Sequence, residues 1–177
     1  MKKILGIILA RGGSKGIKNK NIKLINGKPL IYWTIKSALK SKKLSKVILS
    51  TDSKKIALIG KKYNLDVPFI RPKKLAKDNT PSVDAIEHAL NFLKKSGEEF
   101  EFVALLEPTS PLRSVQDIDK SINKIIMKKA DSLVSICKTN ALNPFFLFQE
   151  KKGFLKPFKT SKKKIFKTPR FEAGLLH

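Results

Sequence analysis

Residues 9 to 21, Leu-Ala-Arg-Gly-Gly-Ser-Lys-Gly-Ile-Lys-Asn-Lys-Asn, gather the side chains best suited to chemistry in this chain of 177 residues. Arg11, Lys15, Lys18 and Lys20 bring positive charge, Ser14 a hydroxyl and Asn21 an amide. Gly12, Gly13 and Gly16 are expected to take positive φ and bring the backbone close to a ligand, with N–H groups turned toward anionic oxygens. Such a loop grips phosphate. Its spacing matches neither the Walker pattern G-x-x-x-x-G-K-[ST] nor the dinucleotide fingerprint G-x-G-x-x-G. The competing reading is a glycine-rich turn in a lysine-rich protein. Position favours the ligand, because the loop follows the apolar run Ile4-Leu5-Gly6-Ile7-Ile8, and open α/β sheets bind at the carboxyl ends of such strands.

The elements that must carry this loop alternate. After the first strand, Pro29 to Lys42 has Leu30, Trp33, Thr34, Ser37 and Ala38 at helical spacing. Val47 to Asp52 reads as a strand, Ser53 to Tyr63 as a helix and Val67 to Ile70 as a strand. Arg71-Pro72 opens a loop to Pro81, and Ser82 is the expected N-cap of a helix stopped by Gly97. Phe100 to Leu106 is a strand ending in Glu107-Pro108-Thr109-Ser110-Pro111-Leu112-Arg113. Ser114 caps a helix to Lys129, and Ser132 to Cys137 reads as a last strand. Alternation of this kind means an α/β fold, a doubly wound and mostly parallel sheet with helices on both faces. Three loops, at residues 10–21, 71–82 and 107–113, then share one sheet edge and can line one pocket.

Composition changes after residue 137. Six of the eleven phenylalanines fall between residues 145 and 166. Lys151-Lys152-Gly153 suggests the turn of a small aromatic-rich hairpin extension. Those aromatics need a surface, either the domain's own helices or a second subunit. Residues 1–137 are therefore expected to form a nucleotide-binding domain, 138–170 a dimerisation arm or hairpin, and 171–177 an atypical tail.

The formal charge is +24, yet only four of the 38 basic residues, Arg11, Arg71, Arg113 and Arg170, are arginine. Lysine spread over every segment reads as solvated surface, whereas nucleic-acid surfaces concentrate charge and favour arginine's planar fork. No nucleic acid is expected as partner. Cys137, the single cysteine, reads as a buried apolar residue in a reducing compartment. No apolar run is long enough to span a membrane, and a cytoplasmic location without a membrane partner is expected. His88 reads as a helix-surface residue and His177 as a mobile terminus.

Five stretches, LARGGSKGIKNKN, NGKPLI, STDS, RPKKLAKDNTPS and LLEPTSPLR, stand in an order and spacing that resembles the acylneuraminate cytidylyltransferase family, the CMP-sialic acid synthetases and their relatives for other nonulosonic acids. The resemblance implies a Rossmann-like nucleotidyltransferase, in which CMP passes from CTP to the anomeric hydroxyl of a sialic-acid-like sugar and pyrophosphate leaves. It implies Arg11 and Lys15 as catalytic cations, and Arg11, Gly12, Gly13, Ser14, Lys15, Lys20, Asn21, Arg71 and Ser82 as nucleotide-binding residues. Glu107, Thr109 and Ser110 become sugar-binding residues, with a homodimer as the assembly. Ser82 also has the structural reading of a helix cap and Arg71 that of an ion pair with Asp78, while Asp52 at its strand tip reads either as a supporting partner of the site residues or as a cap for the next helix.

Two departures stand out. Glu107 occupies a position where many relatives have glutamine, and a carboxylate there needs a hydroxyl, an amide N–H or a compensating charge beside the sugar's own carboxylate. Magnesium is the cofactor implied, but the family's Asp-x-Asp ligands lie beyond the segment matching Thr168-Pro169-Arg170 and are absent from this chain, which reads as C-terminally truncated with impaired activity. Asp117-Ile118-Asp119 is a substitute only in form, because acidic residues suit the first turn of a helix for electrostatic reasons alone. The alternatives are a basic nucleic-acid-binding protein and a non-catalytic nucleotide-binding remnant.

Overall fold

The computed structural model describes residues 2–14, 16–136, 148–151 and 153–157. Its centre is β1, Ile4–Leu9, hydrogen-bonded in parallel to β4, Lys46–Ser50, on one side and to β5, Phe102–Leu105, on the other. A strand paired on both edges and covered on both faces has no polar side, which explains the unbroken apolar run. Odd and even residues of β1 feed different cores. Ile4 and Ile8 pack with Ile31, Ile35 and Ala38 of α1 (Leu30–Lys40), Ile56 of α2 (Lys54–Lys62) and Ile118 and Ile122 of α4 (Val115–Met127). Leu5 and Ile7 pack on the opposite face with Ile48 and with Ala89 and Leu93 of α3, Ser82–Lys95. Helices on both faces of a parallel sheet are the doubly wound arrangement expected.

Two expected strands are reduced. Val67 to Ile70 runs beside β4, but only two bridges form, Ile48 to Asp66 and Thr51 to Ile70. Pro68 has no N–H to give the ladder, and the register slips by one residue between the bridges. Leu49 N–H still donates to Asp66 O at 2.8 Å and Arg71 N–H to Thr51 O at 2.8 Å, so the segment is held and Arg71 is anchored at the sheet's carboxyl edge. Ser132 to Ile136 forms no strand, and Val134 and Ile136 are exposed. Cys137 lies outside the described residues, as do Arg170, His177 and all of 158–177.

One hairpin was not anticipated. β2, Leu24–Ile25, pairs antiparallel with β3, Lys28–Pro29, around Asn26 and Gly27, whose φ angles of 49° and 71° make the left-handed turn that Asn-Gly favours. β6, Phe148–Lys151, and β7, Phe154–Pro157, form a second antiparallel pair, with Gly153 at φ 80°. Among the described residues no helix is long and apolar enough to cross a membrane.

Ile7 is fully buried between β4 and β5. Ile7→Ala should cost about 2–5 kcal/mol, read as a lower urea unfolding midpoint at unchanged slope; a loss within about 0.5 kcal/mol would contradict this packing.

Candidate active site

The first loop is tied at three points. Ala10 N–H continues the ladder to Ser50 O at 3.1 Å. Gly12 N–H donates to the Asp52 carboxylate at 2.9 Å, and the buried Asn21 closes the loop by donating its amide to Arg11 O at 3.0 Å. Asn21 sits in a 3-10 turn, Lys20–Ile22, entered through Asn19 at φ 56°. Gly12, Gly13 and Gly16 do not take the expected positive φ. Gly12 is needed for close approach instead, because a Cβ there would lie 3.1 Å from Ser53 Cβ, whereas Gly13 and Gly16 face open space. Ser14 is half-buried and Lys20 half-buried at the loop's end, while Lys15 lies outside the described residues.

Asp52 is not the cap of α2. Ser53 takes that place, accepting from Ile56 N–H at 3.4 Å, which leaves Asp52 to hold the loop. Arg11, not Arg71, forms the ion pair with Asp78, and this joins the first loop to the second. Arg71 is only 5% exposed, and its Nε has no hydrogen-bond partner among the described residues. Burial lowers its pKa, Asp52 opposes the shift, and Arg11 adds to it. Arginine stays charged through such a change. A buried guanidinium nitrogen without a partner is costly and rare in folded proteins.

Ser82 does not cap α3. Pro81 is the capping residue and makes no side-chain bond, so the Ser82 hydroxyl is exposed in the first turn. His88, further along α3, is half-buried instead of lying on the surface, with its ring edge against Phe69 at 4.8 Å. Its pKa is lowered by burial first, then by the charges of Arg71 and Lys74.

The third loop leaves β5 beside β1, with Leu106 N–H on Ile7 O at 2.9 Å. The Glu107 carbonyl gathers it, accepting from Arg113 Nη2 at 3.3 Å and Ser110 N–H at 3.3 Å, with Thr34 Oγ1 at 3.5 Å. Thr109 Oγ1 lies 3.5 Å from the Glu107 carboxylate. The charge of Glu107 is the larger of two that oppose the lowering of Arg113's pKa by burial. Arg113 thus lies in the field of the Glu107 charge while its hydrogen bond goes to the Glu107 carbonyl. Thr109 and Ser110 are exposed on the same edge. Two clefts, of about 390 Å³ near Lys46 and Glu98 and about 510 Å³ along the outer edge of β5, lie away from these loops.

No group of three or more His, Cys, Asp or Glu residues among those described could hold a metal. Asp117 forms a capping box with Ser114, and Asp119 accepts from Ser41 Oγ and Lys42 N–H at the end of α1. Both carboxylates have structural work.

A phosphate-gripping loop held at the switch point of a parallel sheet defines a nucleotide-binding α/β protein. The chain belongs to the cytidylyltransferase family, whose model matches residues 5–152. It is 39% identical over 139 residues to the N-acylneuraminate cytidylyltransferase of Escherichia coli O18:K1:H7, covering 78% of this chain and 32% of that one. It is 37% identical over 134 residues to the CMP-N,N'-diacetyllegionaminic acid synthase of Legionella pneumophila, covering 76% and 57%. The chain thus spans from about a third to somewhat over half of these relatives. Its fold is that of CMP:2-keto-3-deoxy-manno-octonic acid synthetase, solved with CTP, at TM-score 0.61 and 19% identity over 72% of this chain and 49% of that one.

His88 should titrate below the ordinary histidine value of about 6.5 in an NMR pH series. Since the unfolded chain takes up this proton first, the contribution to stability is full above that value and is lost as pH falls through the native midpoint. A midpoint at or above 6.5 would contradict this environment.

Proposed function

We propose that the carboxyl edge of the sheet, where the three loops emerge, forms a crevice that binds CTP, and that the protein transfers CMP from it to the anomeric hydroxyl of a nonulosonic, sialic-acid-like sugar. The observation that carries this reading is the guanidinium of Arg71, buried at the carboxyl edge of the sheet beside a glycine loop that presents Arg11, in a chain of the cytidylyltransferase family. The names of the two sequence relatives supply the sugar class.

In this reading the anomeric oxygen attacks the α-phosphorus, the bond to the β-phosphate breaks, and pyrophosphate leaves while the hydroxyl gives up its proton. Negative charge grows on the phosphoryl oxygens. Arg11 and Lys15 offset it, and fixed charges placed where charge develops lower the barrier. Gly12, Gly13 and Ser14 cradle the phosphates, with Lys20 at the loop's end, while Asn21 holds the loop's shape through the Arg11 carbonyl. Arg71 offers its planar fork to base or ribose oxygens, with the Ser82 hydroxyl nearby at the start of α3. Glu107, Thr109 and Ser110 face the acceptor, and Arg113 keeps Glu107 from repelling the sugar's carboxylate.

Magnesium is the cofactor the resemblance implies. The described residues do not fit it, since no acidic cluster stands free among them, and no step is assigned to it. A homodimer in the cytoplasm, with no nucleic-acid partner, completes the reading; the dispersed lysines support the last point.

Pyrophosphate release from CTP in the presence of nonulosonic acids tests the proposal. Release should depend on the sugar acid, and Arg11→Ala should lower kcat by about 10². Release that does not depend on a sugar acid, or that survives Arg11→Ala unchanged, would overturn it.

A further inference from the structure

Arg71 and His88 each leave one buried nitrogen without a hydrogen-bond partner among the described residues, Nε of the guanidinium and Nδ1 of the imidazole. They share one neighbourhood. Phe69 precedes Arg71 by two positions in the extended segment beside β4, so alternation turns both side chains to the same side. Phe69 meets the His88 ring edge-on at 4.8 Å and Phe92 at 4.9 Å, and α3 delivers His88 from the facing wall. Arginine Nε always carries a hydrogen and can only donate, whereas imidazole Nδ1 accepts when the proton sits on Nε2. A buried donor and a buried acceptor that are each unmatched cost more apart than together.

We propose that His88, as its Nε2–H tautomer, is a positioning residue for Arg71, its Nδ1 receiving the Arg71 Nε–H across one bridging water. Fixing Nε turns the two terminal nitrogens of the guanidinium toward the crevice, where they meet nucleotide oxygens as a preset fork. Phe69, itself packed on Phe92, meets the imidazole edge to face and restricts its rotation. The lowered pKa of His88 agrees with this role, since an imidazolium has no acceptor to offer. The inference rests on the reading of the crevice as a nucleotide site.

The first test needs no ligand. Long-range ¹H–¹⁵N correlation spectra of the imidazole near neutral pH should show the proton on Nε2, and Arg71→Lys, which keeps the charge and removes Nε, should move the Nδ1 signal. A proton on Nδ1, or an Nδ1 signal that Arg71→Lys leaves in place, overturns the pairing. The second test is CTP affinity. His88→Phe keeps a ring against Phe69 without an acceptor and should weaken binding about tenfold, the loss of one hydrogen bond to a charged group. His88→Asn, which puts an oxygen near the place of Nδ1, should recover most of it. In the Arg71→Lys background His88→Phe should add nothing further, whereas equal losses in both backgrounds would assign His88 a packing role and overturn the proposal. A wild-type chain that binds no CTP but gives the expected spectra would defeat the nucleotide reading and leave the Arg71–His88 pair standing.

Discussion

The Asp52 carboxylate is the fixed point of this site. It stands just past the end of β4, accepts Gly12 N–H, and its charge opposes the loss of basicity that burial imposes on Arg71. Two cations and two anions, Arg11, Arg71, Asp52 and Asp78, are thereby concentrated at the carboxyl edge of β1 and β4. The arrangement places strong dipoles and charges before a ligand arrives, so that less reorganisation is needed when one does. Everything upstream serves that geometry: the two-sided burial of β1 and β4 fixes where their ends lie, and Gly12 lets the loop approach Ser53.

Much of the fold was legible because its signals are local. The apolar run of β1 and the helical spacing of Leu30, Trp33, Thr34, Ser37 and Ala38 state their own periodicity, although Ile31 and Ile35 bury more deeply than Trp33. What failed was decided between segments. Val67 to Ile70 has strand character, but Pro68 removes the donor that a regular ladder with β4 would need. Ser132 to Ile136 is apolar enough for a strand, yet forms no ladder among the described residues. The hairpin at Asn26-Gly27 carries its signal in its turn residues, between strands of only two residues each.

At the site, residue types pointed to the loops, and the fold decided their partners. Arg11 and Arg71 stood out because arginine is rare among so many lysines. That Asp78 pairs with Arg11 instead of Arg71, that Ser53 frees Asp52 from capping, and that Ser82 caps nothing are facts of three-dimensional proximity. His88 gave no signal beyond being one of two histidines, since its environment comes from Phe69, Arg71 and Lys74 on another segment. Gly12 serves a close approach to Ser53 and Gly13 and Gly16 face open space, all without the positive φ expected of them.

Calorimetric titration of CTP into the protein, with ATP, GTP and UTP alongside, tests the central claim most directly. The account expects saturable binding of CTP at least about tenfold tighter than the other nucleotides, a difference of about 1.4 kcal/mol. Equal binding of all four, or of none, would contradict a cytidine-nucleotide site at this edge of the sheet.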